Sequence, residues 1–394
     1  MKKATHQATK DHNTTLVLRT VYHQALISRA EVARATGLTR TTVSDLITEL
    51  IDAGYVREAG PGPATIGKPP IHVYLDAGAK QILCVDLGEE EFHGALVNLR
   101  GEVLQRHTLP LGDRTGAAAL DLAHRLVDGL RSQASAPLLG IGIGTPGRVD
   151  PDAGVIRQAV NRGWVDVDLR KSLGERHRIP IHLGNDAHLA ALAECAYGGH
   201  GRAPSLALIK VGQGIGSGLV FSGALHLGDG FSAGEVGHLC VERGGRPCSC
   251  GNRGCLETVA ALPALSRQLQ ELAAKAPETP FARALRDPQP ALEVWRTFSA
   301  DGNPQARGLV RALGTHLGVV AASLVGVLNI RKVVIAGVPV AFGEPVLEAL
   351  RAELRARILP EQAEETQVSF SALGSDLVLK GAAALVLRNQ LNLP

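Results

Sequence analysis

No unbroken apolar run of about 18 residues occurs in this chain, so no transmembrane helix is expected. Its first stretch, Met1 to Asp11, carries three lysines and no apolar core, so no secretory signal is expected there. Cysteine is sparse, six in 394 residues, and three of the six are clustered. That usage argues against a disulfide framework and for a reducing, cytoplasmic setting. Cys84, Cys195 and Cys240 read as small buried hydrophobes. A large charge of one sign is also missing, since 41 Lys and Arg face 38 Asp and Glu, a net of +3. The small excess is uneven. Residues 1–80 hold ten basic against seven acidic side chains, and the remainder holds 31 of each. This points to nucleic acid at the N-terminal end and to a neutral partner elsewhere. At 45% hydrophobic and 20% charged, the rest is an ordinary globular composition for two or three domains.

What is present begins with a metal-ligand pattern. Glu235-Val236-Gly237-His238 is followed, nine residues on, by Cys248-Ser249-Cys250-Gly251-Asn252-Arg253-Gly254-Cys255-Leu256-Glu257. His238, Cys248, Cys250 and Cys255 form a complete set for a closed tetrahedral Cys3His zinc site, which would be structural. Glu235 and Glu257 flank it, as they would if a metal-shaped loop gripped something polar beside it. The alternative is a small buried Cys248/Cys250 pair with His238 incidental.

The N-terminal segment reads as a winged helix-turn-helix. Leu16, Val17 and Val21 lie at helical spacing, and Ser28-Arg29-Ala30-Glu31 is a capping box that starts a second helix at Arg29. Gly37 supplies its C-terminal turn, and Thr39 caps the next helix. Val43, Leu46, Ile47, Leu50 and Ile51 line that helix until Gly54. In a major groove its first turns would present Arg40, Thr41, Thr42 and Ser44 to operator DNA. The alternative is a small helical bundle with a polar face. Tyr55–Arg57 and Ile71–Leu75 look like wing strands around a Gly/Pro-rich loop, 59–70. Lys68, the loop's charge, suits a minor groove or phosphate, or a solvated linker.

Residues 81–107 and 206–227 each show apolar strands around glycine turns, as two related α/β lobes would. Helical patterns follow at Ala117–Arg131, Asp186–Tyr197 and Arg307–Leu328, with short strands at Leu139–Ile143 and Lys332–Ala336.

Five segments carry a resemblance. They are Gly140-Ile141-Gly142-Ile143-Gly144-Thr145-Pro146-Gly147, the run from Gly184-Asn185-Asp186 to Glu194, the glycine-rich loop 212–218, Glu235-x-x-His238, and the Cys-x-Cys-Gly-x-x-Gly-Cys-Leu-Glu run. Together they resemble the ROK family of repressors, open reading frames and sugar kinases over essentially the whole chain. With the helix-turn-helix, the likeness is to its repressor branch, which includes xylose-, glucose- and N-acetylglucosamine-linked regulators. The resemblance implies a DNA-binding domain at 1–76 and a two-lobed actin-like (ribonuclease H-like, sugar-kinase-type) domain at 77–394, with a zinc loop at 238–255. It implies a monosaccharide effector between the lobes, with Asn185 and Asp186 at one end, Glu235 and His238 at the other, Glu257 nearby and Asn161 contributing. Paired carboxylates suit vicinal hydroxyls. Asp186 has a second role open to it, as a helix N-cap next to Asn185.

Kinases of the family carry Asp-x-Gly-Gly-Thr in the first meander. Here the stretch is Asp86-Leu87-Gly88-Glu89-Glu90, with Glu91 next. Carboxylates there would repel a triphosphate, and the threonine hydroxyl is gone. The expectation is a non-catalytic regulator, a homodimer or tetramer on double-stranded DNA. In it, sugar closes the lobes and moves the DNA-binding arms. An active sugar kinase with a DNA-binding arm, or a module answering to a protein, are the alternatives.

Overall fold

The computed structural model describes residues 6–61, 71–201, 204–286 and 290–393. Chain contacts divide the molecule into two units, Met1–Gly184 with Ala382–Pro394, and Asn185–Gly381.

The first unit opens with α1 (His6–Tyr22), β1 (Ile27–Ser28), α2 (Arg29–Thr36), α3 (Arg40–Asp52), β2 (Val56–Pro61) and β3 (Ile71–Leu75). The local chemistry sets these boundaries. Ser28 Oγ accepts from Glu31 N while the Glu31 carboxylate accepts from Ser28 N, so two N-terminal donors of α2 are satisfied reciprocally. Gly37 ends α2 in the left-handed region, φ 72°, and Thr39 caps α3 through Thr42 N. Val17, Leu18, Val21, Val32, Val43, Leu46, Ile47 and Leu50 form the buried seam of the three helices. Strands β2 and β3 pair antiparallel, with β1 on the other edge of β3. This is a winged helix. Its first helix begins near His6, well before the apolar residues at 16–21 that predict it, because polar residues extend it by several turns.

The same unit continues with β4 (Gln81–Leu87), β5 (Glu91–Asn98), β6 (Val103–Pro110), α4 (Gly116–Ser132) and β7 (Leu138–Thr145). Then come β8 (Arg148–Asp150), β9 (Val155–Ala159), β10 (Trp164–Asp168), α5 (Leu169–His177) and β11 (Ile181–Asn185). A five-stranded sheet has the order β11-β7-β4-β5-β6, an antiparallel meander joined through β4 to parallel β7. Helix α4 lays Leu122, Leu126 and Leu130 into the core beneath it.

The second unit holds α6 (Asp186–Tyr197), β12 (Leu206–Val211), β13 (Ile215–Phe221), β14 (Ala224–His226), α7 (Glu257–Ala260), α8 (Leu262–Lys275), α9 (Pro280–Ala284) and α10 (Ala291–Ala300). It continues through α11 (Pro304–Leu328), β15 (Lys332–Gly337), α12 (Glu344–Arg355), α13 (Pro360–Glu365), β16 (Gln367–Phe370) and the start of α14 (Leu377–Leu391). Its sheet has the order β14-β13-β12-β15-β16, again a meander followed by two parallel strands. The duplication expected from the two glycine-marked meanders is therefore real. Each half is the α/β layer of an actin-like fold. Helix α11 is long and apolar enough to span a membrane by length and composition. Val310, Leu313, Leu317, Val320 and Ala321 are instead buried in the core of the second unit, which accounts for its apolar face.

Candidate functional site

The second unit gathers most of the residues singled out from the sequence. Asn185 caps α6, its Oδ1 accepting from Ala187 N at 2.9 Å and His188 N at 3.1 Å. Asp186 is the first helical residue, so the cap is Asn185 and the Asp186 carboxylate is left to project from the helix start. Its Oδ2 accepts from Lys210 Nζ at 2.6 Å, and its Oδ1 from Ala187 N. Lys210 is the penultimate residue of the apolar strand β12, just before the glycine turn. Sequence reasoning passed over it, although a lone charge in Leu206-Ala207-Leu208-Ile209-Lys210-Val211 is a readable signal.

The glycine-rich run 212–218 is a loop only at 212–214; from Ile215 it is the start of β13, packed onto α6. A Cβ at Gly218 would lie 2.3 Å from Ala191 Cβ and 2.7 Å from Ala187 O, so no larger residue fits without moving the helix. Buried Ser217 then binds Gly234 O through both its N–H (2.8 Å) and its hydroxyl (3.0 Å), drawing the segment before Glu235 to β13. His188 adds a second tie, its Nε2–H donating to Ala233 O at 2.7 Å. Burial keeps His188 below the usual histidine range, which suits this neutral tautomer. Glu257, at the start of α7, accepts from Ile215 N at 2.8 Å. Glu235 reaches solvent, yet its surroundings are dense enough that desolvation raises its carboxyl above the ordinary value. His238 opposes that rise, while Glu257 and Asp186 add to it. Asp186, Glu235, His238 and Glu257 are thus electrostatic neighbours.

Beside them lies the predicted ligand set. A ring nitrogen of His238 and the sulfurs of Cys248, Cys250 and Cys255 lie within 4.8 Å of one another. Cys248 Sγ is 3.6 Å from His238 Nδ1, and Cys250 Sγ is 3.7 Å from Cys255 Sγ. A tetrahedron with Zn–S bonds of about 2.3 Å has S···S edges of about 3.8 Å, so the donor types and spacing fit that ion. The Cys250 thiol is lowered to about 7, chiefly by the Asn252 backbone N–H, and the Cys255 thiol is pushed up to about 12 by burial and the adjacent sulfurs. Three sulfurs this close need a cation before all can ionise. The loop that holds them turns at Gly254, φ 72°, where a Cβ would strike Glu242 O at 1.8 Å. Cys240 is not a small buried hydrophobe as its type suggests. It is exposed, although its backbone pairs with that of buried Cys255. Cys195 is half-buried and Cys84 fully buried.

Other expected residues lie in the first unit. Asn161 sits in the 3-10 turn Val160–Arg162, of which its backbone alone is described. Its neighbour Arg162 is 3% exposed and donates to Gly88 O in the β4–β5 turn. Desolvation lowers the Arg162 pKa, while Glu89 and Asp86 hold it up, so the acidic turn carries an internal counter-charge. On α3, Arg40 and Thr41 are exposed and Ser44 is half-buried. Half-buried Thr42 has its hydroxyl 2.9 Å from that of Thr39. Lys68 lies outside the described residues.

Comparison with known sequences places these features in one family. The pattern of the ROK family matches residues 82–389, and that of the MarR family matches 12–64. The chain belongs to the ROK family. It is 30% identical to the xylose repressor of Caldicellulosiruptor bescii over 99% of this chain and 98% of that one. It is 33% identical to a glucokinase of Halalkalibacterium halodurans, over 77% of this chain and 93% of the enzyme. Among solved structures, a ROK family transcriptional regulator homologous to the E. coli Mlc protein superposes with a TM-score of 0.86 over 98% of both chains at 24% identity. The fold is therefore a MarR-type winged helix followed by the ROK actin-like domain.

Proposed function

We propose that this ROK protein is a DNA-binding transcriptional regulator, a repressor of sugar-metabolism genes, released from its operator by a monosaccharide. The observation that carries this is the extent of the likeness. The repressor relative matches from end to end, winged helix included, whereas the glucokinase relative matches over about three quarters of the chain. Residues 1–76 form the DNA-binding domain in this reading, with Arg40, Thr41, Thr42 and Ser44 at the major groove and Lys68 in the wing. Asn185, Asp186, Glu235, His238 and Glu257 hold the sugar, with Asn161 contributing. The clustering of three carboxylates and a histidine supports a neutral ligand rich in hydroxyls, xylose or an unphosphorylated hexose, over a sugar phosphate. His238, Cys248, Cys250 and Cys255 would hold a structural zinc ion, which clamps the loop and completes the charge of its thiolates. The protein is cytoplasmic, where those thiols stay reduced, and acts as a dimer or tetramer on double-stranded operator DNA.

It is non-catalytic in this reading. An ATP-dependent sugar kinase with a fused DNA-binding arm is the competing one, favoured by the glucokinase likeness and by Asp186, which matches the position of the general base in the family's kinases. Three consecutive glutamates in the β4–β5 region, Glu89 to Glu91, oppose it, because phosphoryl transfer depends on stabilising phosphate charge.

The test is fluorescence anisotropy of the purified protein on DNA from its own upstream region, at fixed salt, with a panel of monosaccharides. Specific binding released by one sugar is the expected result. No specific binding under any condition overturns the regulator and leaves the kinase.

A further inference from the structure

Lys210 has no part in the roles assigned above, although it is paired with Asp186, one of the residues assigned to the sugar. The two side chains are 2.6 Å apart at the head of the glycine loop, and they remain 29% and 21% exposed. Both charged ends therefore reach solvent from one place, beside Asn185. Around them, Glu235 and Glu257 supply negative charge. A carboxylate can only accept, and an ammonium can only donate through its three N–H bonds. A hydroxyl does both. Held together, Lys210 and Asp186 present the acceptor and the donor that one hydroxyl requires.

We propose that Lys210 is a specificity-determining residue of the effector site, and that it reads one sugar hydroxyl jointly with Asp186. Lys210 Nζ donates to the hydroxyl oxygen, and the hydroxyl proton is donated to an Asp186 carboxylate oxygen. The inference rests on the effector reading of the previous section and adds a ligand class to it, a neutral sugar bearing a free hydroxyl at this position. A deoxy sugar forfeits both hydrogen bonds while still displacing water from the pair, so a site that reads a hydroxyl disfavours it. A phosphate or carboxylate at that position brings no proton for Asp186 and adds negative charge near three carboxylates.

The test is calorimetric titration of the full-length protein with D-xylose, D-glucose and N-acetyl-D-glucosamine, then with the monodeoxy derivatives of whichever binds. The same titrations are run on Lys210→Met and Lys210→Gln. Sugar-free DNA binding by each variant serves as the folding control, and a second variant is at hand if one fails it. The expected result is a loss of roughly ten- to a hundred-fold in affinity for the parent sugar in both variants. One monodeoxy derivative should bind the wild type weakly and gain nothing from Lys210, so that the double-mutant cycle assigns the coupling to one hydroxyl. Wild-type affinity for the parent sugar in a folded variant overturns the role of Lys210 alone. So does an equal loss across every deoxy derivative, which marks a residue that only supports the fold. Absence of binding by the wild type to all three sugars overturns the effector reading itself, and this inference with it.

Discussion

Cys250 is the residue at which the metal reading is most exposed to test. It is a surface cysteine whose neighbours are two sulfurs and a ring nitrogen. A solvent-facing thiol has little packing to lose, so Cys250→Ser isolates the ligand role. Elemental analysis should find one zinc per chain in the wild type and none in the variant. Removal of a structural metal destabilises directly. A loss of about 2 kcal/mol would lower Tm by about 4–8 °C in a unit of this size. Sugar response should fall too, because the clamped loop carries His238 and leads into Glu257. Full induction together with a wild-type Tm would remove zinc from the account. The clustering of His238, Cys248, Cys250 and Cys255 was legible in the sequence because they are close along the chain and chemically distinctive. The Lys210–Asp186 pairing was not, because the two are 24 residues apart and only the packing of β12 against α6 brings them together.

At the scale of the element, the α2 start and the β4–β5 turn make opposite demands on charge. In the capping box Glu31 is held below the ordinary value of 4.5, first by the Ser28 backbone N–H and then by the Ser28 hydroxyl. A carboxylate lowered in the folded state stabilises above its unfolded value and ceases to do so as pH falls through the lowered one. Ser28→Ala should cost about 1 kcal/mol at neutral pH, read by denaturant unfolding followed at the winged helix. The difference from wild type should shrink below pH 4.5. A constant difference down to pH 3 would mean that Glu31 takes no part. Such local devices explain why the helix boundaries at Arg29, Thr36 and Arg40 were readable in advance. In the β4–β5 turn the sequence showed acids where kinases carry Gly and Thr, but not their counter-charge. Arg162 lies 74 residues from Gly88 and reaches it only through the fold. Glu89→Gly with Glu90→Thr removes two acids and leaves that guanidinium, so ATP should bind the double variant more tightly than the wild type in a calorimetric titration. Turnover in the double variant would show that the two acids alone had silenced a kinase.

For the whole molecule, the sugar control proposed above requires that ligand binding be felt at the winged helix. A sugar shifts DNA affinity only by the difference between its own affinities for the two conformations. The winged helix must therefore be mechanically tied to the body that responds. It clusters with the first α/β half, and the contacts are specific. Arg100 donates to Tyr22 O and, at 3.3 Å, to Gln24 O, with its guanidinium 5.0 Å from the Tyr22 ring centroid. At the other end of the chain Arg19 Nε donates to Asn392 O at 2.7 Å, one residue beyond α14, whose first turn belongs to the second unit. None of these partners was legible from motifs, since each joins segments that carry no pattern of their own. Arg100→Ala removes three contacts to the end of α1 while leaving the recognition helix α3 untouched. Its sugar-free affinity for operator DNA, by anisotropy at fixed salt, should stay within about threefold of wild type. The sugar-induced loss of affinity, of the order of 5–150-fold for ordinary coupling energies, should shrink towards unity. If the variant is released by sugar as completely as the wild type, the signal does not pass through this joint and must run through the Arg19–Asn392 contact instead. The corresponding Arg19→Ala protein then becomes the deciding measurement.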